Sequence, residues 1–217
     1  MPRLAASTLE NVRTRIEAAA LGLFVDRGFN ATTTRDIATA AGLTPGALYI
    51  HYPSKEALFA AVVVRHQERL AAEEGPLRRH FQRSRFPNDI PLLARAVRAA
   101  VRSNRSFWML WYIDVLEFGG KHFKGQLDLS FLRQHPKLKL RFAELRTHGV
   151  MRVDPEIAFV MVYLHLFNYF LLESVFGGEQ HYGLSEQRAL KTIVNVFLNG
   201  ILSSGSRPAR RKGRSQR

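Results

Sequence analysis

Thr33-Thr-Arg-Asp-Ile-Ala-Thr-Ala-Ala-Gly42-Leu-Thr-Pro-Gly-Ala-Leu-Tyr-Ile-His51 is the stretch from which the fold can be read. Thr33 and Asp36 have the spacing of a capping box, in which a hydroxyl accepts from an exposed amide and a carboxylate reaches back to the cap's own N–H. This predicts a helix that turns Ile37, Ala38 and Ala41 inward and is stopped by Gly42 after about two turns. Thr44 is a second cap, and Pro45 stands at the first helical position, where its missing N–H costs nothing. Leu48 and Tyr52 give this second helix an inward stripe, and Pro53 ends it. Two short helices around a tight glycine turn are the pattern of a helix-turn-helix, whose second helix enters the major groove of DNA.

Upstream, Ser7-Thr-Leu-Glu10 fits another capping box, Val12, Ile16, Ala20, Leu23 and Phe24 recur at helical spacing, and Gly28 suits a helix stop, so one helix is expected over about 8–27. Downstream, Ser54 caps a longer helix that runs from Lys55 toward Leu70, before Gly75-Pro76 interrupts. Further helices are expected near 91–103, 105–118, 127–147, 154–176 and 185–202, with no strand-like alternation and no repeats. The class is therefore all-α, with about nine helices: an N-terminal three-helix unit over 1–55, a helical body over 56–205 and a basic tail over 206–217.

The bulk properties agree. The 217 residues are 46% hydrophobic, enough to bury a core. The formal charge is +14, and six of those charges follow Ser206, which leaves +8 on the rest of the chain. Such a balance suits a polyanionic partner. The absence of cysteine excludes disulfides, thiolate catalysis and cysteine-ligated metals. The first residues lack the apolar stretch of a signal peptide, so a cytoplasmic protein is expected. The apolar run Val160–Leu172 has only 13 residues, short of the roughly 20 that span a bilayer, and contains His165, Asn168 and Tyr169; it reads as a buried helix with no membrane partner.

Phe24-x3-Gly28-Phe29, Thr33-Thr34-x-Asp36-Ile37-Ala38, Ala41-Gly42-Leu43 and Leu48-Tyr49-x-His51-Tyr52-Pro53-Ser54-Lys55-Glu56-Ala57-Leu58 together resemble the TetR/AcrR family of transcriptional regulators over roughly the first quarter of the chain. The resemblance implies a DNA-binding transcriptional regulator, a ligand-responsive repressor acting on a palindromic operator in duplex DNA, although the sign, repression or activation, is not itself written in the sequence. It implies that Thr33, Thr34 and Arg35 meet phosphate at the start of the second helix. It further implies groove or base-edge contacts from Thr44, Pro45, Gly46, Ala47 and Tyr49, and phosphate contacts from Tyr49, His51 and Lys55. Thr33 and Thr44 would also cap helices in any helical protein. The segment Thr44–His51 contains no Arg, Asn or Gln able to make a bidentate base contact, so specificity is expected to lean on methyl contacts, Tyr49, DNA shape or residues outside the motif.

In the body, Ile157–Leu172 carries no Asp, Glu, Lys or Arg, so this helix must be covered on several faces. Leu190, Ile193, Val194, Phe197 and Ile201 form a stripe on the last helix. Family members use their last two long helices as a symmetric four-helix interface, and the resemblance thus implies a homodimer through Ile157 and this stripe. It also implies an unidentified small-molecule effector bound within 56–205. Trp108, Trp111 and Tyr112 on one helix, His165, Asn168 and Tyr169 on another, and Phe118 and Phe142 nearby suit a ligand pocket, or equally an aromatic core with satisfied polar tips. Asp114, Glu117 and His122 read as a polar helix end rather than a metal site. No cofactor is implied, and no nucleophile elbow, phosphate loop or paired-acid motif points to catalysis. Two other readings are a basic DNA-associating protein without an effector and a small helical enzyme.

Overall fold

The computed structural model describes residues 2–72, 74–124, 135–177, 183 and 185–201, apart from the side chains of residues 2–8, 71 and 201. Ten α-helices occur among the described residues: α1 (Pro2–Arg27), α2 (Thr34–Ala40), α3 (Pro45–His51), α4 (Lys55–Ala72), α5 (Pro76–Phe81), α6 (Ile90–Ser103), α7 (Arg105–Phe118), α8 (Pro136–His148), α9 (Pro155–Phe176) and α10 (Glu186–Ile201). The all-α expectation holds. The first helix begins before the Ser7 cap, at Pro2, a residue preorganised for a first helical position. The short α5 is the element the periodicity did not signal, since six residues are too few to show a period. Most of the expected 127–147 helix falls on α8, while 125–134 lie outside the described residues, as does the whole 206–217 tail.

The chain forms two compact units, Met1–Gly75 with Asn104–Asp128, and Pro76–Ser103 with Leu129–Arg217. The first unit runs past residue 55, and its core draws on α4 and α7 as well as on the three N-terminal helices. Ile16, Ala20 and Phe24 of α1, Ile37 and Ala38 of α2 and Leu48 of α3 share one buried cluster with Leu58, Phe59, Val62 and Val63 of α4 and Phe107 and Leu110 of α7. The rings of Phe29, Phe59 and Phe118 meet edge-on or tilted at 4.7–5.6 Å. Burying a Phe side chain contributes about 1.5–3 kcal/mol, so α4 and α7 supply much of what holds this unit together.

The end of α7 is closed by a buried carboxylate. Asp114 is fully buried and accepts from the amides of His122 (3.0 Å) and Phe123 (3.1 Å), with the His122 Nδ1 at 2.6 Å. Gly119 terminates the helix at φ 61°, and its amide and that of Gly120 donate to the Asp114 carbonyl. The His122 ring packs against Phe59 and Phe118. The expected polar helix end is this arrangement.

In the second unit α9 packs along α6 and also meets α8. Pro155, Ala158, Phe159, Val162, Leu166 and Phe170 recur on its buried face, and Phe159 meets Phe81, Phe86 and Phe142. Asp154 caps the helix by accepting from the Glu156 and Ile157 amides, and its hydrogen bond to Arg146 (2.7 Å) holds its carboxyl below the usual range. Arg98 pairs with Glu186 at 2.7 Å and Arg102 with Glu173 at 3.1 Å, tying α6 to α10 and α9.

Candidate nucleic-acid interface

The turn between α2 and α3 is set by backbone geometry. Gly42 sits at φ +67°, its amide donates to Thr39 (3.0 Å) and the Leu43 amide donates to Ala38 (2.8 Å). A Cβ at Gly42 would lie 2.9 Å from the Arg15 guanidinium, which donates to the Ala41 carbonyl. The left-handed φ is what calls for glycine here, since the arginine tip is the far end of a flexible side chain and could move aside.

Both caps form as the spacing predicts. The Thr33 hydroxyl accepts from the Asp36 amide (3.1 Å), and the Asp36 carboxylate accepts from the Thr33 amide (3.0 Å) and hydroxyl (2.6 Å). These bonds hold the Asp36 carboxyl below its ordinary value. The Thr44 hydroxyl accepts from the Ala47 amide at 3.2 Å, and Pro45 opens α3.

Leu48 is fully buried on the inner side of α3, which leaves Thr44, Pro45, Gly46, Tyr49 and Ile50 exposed, with Ala47 and His51 half-buried. The Tyr49 hydroxyl lies 3.1 Å from that of Thr34, so α2 and α3 present a hydroxyl pair beside the exposed Arg35. The far end of α3 is anchored: buried Tyr52 donates to the buried Glu17 carboxylate, which Arg65 also engages. Burial and the Glu17 contact push the Tyr52 hydroxyl well above its ordinary value.

Lys55 stands apart from the other expected contacts. Its ammonium donates to the carbonyls of Phe29 (2.8 Å) and Thr32 (2.9 Å) and lies 4.2 Å from the Phe29 ring centroid. These bonds tie the ammonium to the loop that leads into α2. Its sequence signal, a lysine two residues past the Pro that ends α3, carries no information about where the ammonium turns.

The eight residues expected to line an effector pocket divide four and four between the units. Trp108, Trp111 and Phe118 pack against the core of the first unit, with Tyr112 beside Trp111. Phe142 is a core ring of the second unit, His165 stacks edge-on against Phe197 at 5.5 Å, the Asn168 amide donates to the Leu164 carbonyl, and Tyr169 meets Phe170. Phe142 is buried, and Phe118 is half-buried against the core of its unit. A cleft of about 330 Å³ lies instead among Pro87, Asn88, Arg141, Glu144, Leu145 and His148; none of these was expected from the sequence, because a cleft depends on which helix ends fail to touch.

Of the expected interface residues, Ile157 is 60% exposed, and Leu190, Ile193, Val194 and Phe197 are half-buried; the Ile201 side chain lies outside the described residues. Met161, Leu164 and Val196 are exposed as well and were not singled out by the sequence. Helix α9 has 22 residues with a mean hydropathy of 1.5 over its best 18-residue window, long and apolar enough to cross a membrane, and a third of that window is buried within the chain. Among the described residues, His, Asp and Glu side chains form no cluster suited to a metal ion.

Comparison with known proteins places this geometry. The family described as bacterial regulatory proteins, tetR family, matches residues 16–62. The HTH-type transcriptional regulator UidR of Escherichia coli K12 is 42% identical over 60 residues, 28% of this chain and 31% of that protein, so the chain matches about a third of the length of this relative. The HTH-type transcriptional repressor AcnR of Corynebacterium jeikeium is 27% identical over 188 residues, 82% of this chain and 86% of the relative. A TetR-family transcriptional regulator from Pseudomonas syringae pv. tomato superposes with a TM-score of 0.55 at 23% identity, covering 88% of this chain and 96% of that one. Residues 16–62 thus match the segment described as bacterial regulatory proteins, tetR family, and along most of its length the chain shares the fold of TetR-family transcriptional regulators.

Proposed function

We propose that this protein is a cytoplasmic transcriptional repressor that binds a palindromic operator as a homodimer and releases or grips it in response to a small molecule. The observation that carries the DNA-binding reading is the outward side of α2 and α3, where Arg35, Thr44, Pro45, Gly46, Tyr49 and Ile50 are exposed around the Thr34–Tyr49 hydroxyl pair while the opposite side is core. The basic balance of the chain suits a phosphate backbone. The relatives that match along this segment are named as regulators and repressors rather than enzymes.

Dimerisation is supported by α9: one face of an uncharged helix packs inward, and Ile157, Met161 and Leu164 form an apolar outer face that water would leave uncovered. A second copy of the same surface covers it in an isologous contact. A second reading, a DNA-associating regulator without an effector, is supported by the burial of Phe142 and the packing of Phe118 against its core. A ligand acts only through its differential affinity for two states of the dimer.

Selection of bound sequences from random duplex DNA tests the reading directly. An enriched palindrome is expected; recovery of unselected sequence at every salt concentration would overturn specific dimeric binding.

The position of Lys55 gives a further prediction. Lys55→Met keeps the stem but leaves two carbonyls without their donor, which should cost about 1–2 kcal/mol of stability and weaken operator binding. The slope of log affinity against log salt should stay unchanged. A phosphate contact would instead lower that slope by about one, so salt titration of the variant separates a positioning role from direct contact.

A further inference from the structure

Ile50 is 83% exposed, the highest value among the large apolar side chains described, and it stands on the helix proposed to enter the groove. At about 100° per residue, Ile50 lies roughly 200° around α3 from Leu48 and Gly46 roughly 200° in the other sense, so the two stand about 40° apart on the side opposite Leu48. Leu48 is fully buried, so Gly46 and Ile50 mark the outward centre line of the helix. Gly46 has open space where a Cβ would be, which lets the backbone approach a surface closely.

Ile50 contributes little to folding in this position. It is almost wholly in water, and a β-branched residue is a poorer helix former than Ala by a few tenths of a kcal/mol. The Thr44 hydroxyl caps the helix, the Tyr49 hydroxyl pairs with Thr34, and His51 lies half-buried at the far end of the helix. With no Arg, Lys, Asn or Gln in Pro45–His51, the bulky group on the outward line is aliphatic. The aliphatic feature on the floor of the major groove is the C5-methyl group of thymine.

We propose that Ile50 is a specificity-determining residue that contacts a thymine C5-methyl group in each operator half-site. This rests on the operator-reading function proposed above. The contact buries one methyl against a branched side chain, and the other side chains of the interface hold register through phosphate and groove contacts.

The test uses the full-length protein and the duplex obtained by selection, with each thymine replaced singly by deoxyuridine, which removes only the methyl. For the wild type, one thymine per half-site is expected at which the replacement weakens binding about fourfold, the effect of one buried carbon. Ile50→Ala should bind the thymine duplex more weakly by a similar factor and be indifferent to deoxyuridine at that position, with helix content unchanged by circular dichroism. Equal deoxyuridine sensitivity of wild type and variant at every position overturns the proposal, as does a variant that binds the thymine duplex like the wild type. A variant altered only in sedimentation would make Ile50 a protein contact and also overturn it. These failures leave operator reading standing, whereas a selection that enriches no sequence removes that reading and the Ile50 assignment with it.

Discussion

Met161→Asp is expected to yield a folded monomer that no longer binds the palindromic operator at concentrations saturating for the wild type. Met161 is 52% exposed within the chain, so the substitution leaves the buried face of α9, carried by Phe159, Val162, Leu166 and Phe170, untouched. In a two-fold dimer the same carboxylate enters the contact twice, and a charge buried without a partner costs several kcal/mol. Losing the second half-site should weaken operator binding at least about a hundredfold, because about 2.7 kcal/mol corresponds to that factor. Sedimentation at micromolar concentration reads the first effect and duplex titration the second. A variant that remains dimeric would place the interface elsewhere. Phe197→Asp is a less clean probe, since the Phe197 ring also packs on His165 of its own chain.

Asp114→Ala should produce the largest loss of stability among the polar positions. Removal of the fully buried carboxylate strands the amides of His122 and Phe123 and the partly buried His122 ring. Each unsatisfied buried donor costs about 1–3 kcal/mol, and a total of about 3 kcal/mol would lower the melting temperature of a chain this size by about 6–12 °C. Because His122 packs on Phe59 and Phe118, the loosening should reach the core shared with α1–α3. Asp114→Asn retains one acceptor oxygen and should lose less. Melting curves of the two variants check the order; an unchanged transition in Asp114→Ala would show that water replaces the carboxylate at no cost.

The helix-turn-helix was legible because its signals are local. A cap at Thr33 answered by Asp36, a left-handed Gly42, a cap at Thr44 followed by Pro45, and an inward Leu48 each act within a few residues, and their spacing along the chain is their spacing in space. The long helices were legible for a related reason, since a period of 3.6 residues needs only a dozen positions to declare itself. The start of α1 and the short α5 escaped, because the cap at Ser7 reads as a helix start and one turn shows no period.

What only the tertiary structure decided is where long side chains end and which apolar faces meet. Lys55 looks like a free cation from its neighbours in sequence, yet its ammonium is taken by two carbonyls more than twenty residues away. Trp108 and Phe118 share an aromatic pattern with His165 and Tyr169, but the two sets fall in different compact units. Ile50 and Leu48 are both aliphatic residues of one helix, and only packing shows that one is core and the other faces out. By itself the sequence determined the all-α class, the reading unit and its cap-and-turn chemistry, because these rest on interactions between near neighbours. The partition of the core, the carbonyl contacts of Lys55, the outer face of α9 and the exposure of Ile50 came from the tertiary structure, because each depends on contacts between residues far apart along the chain.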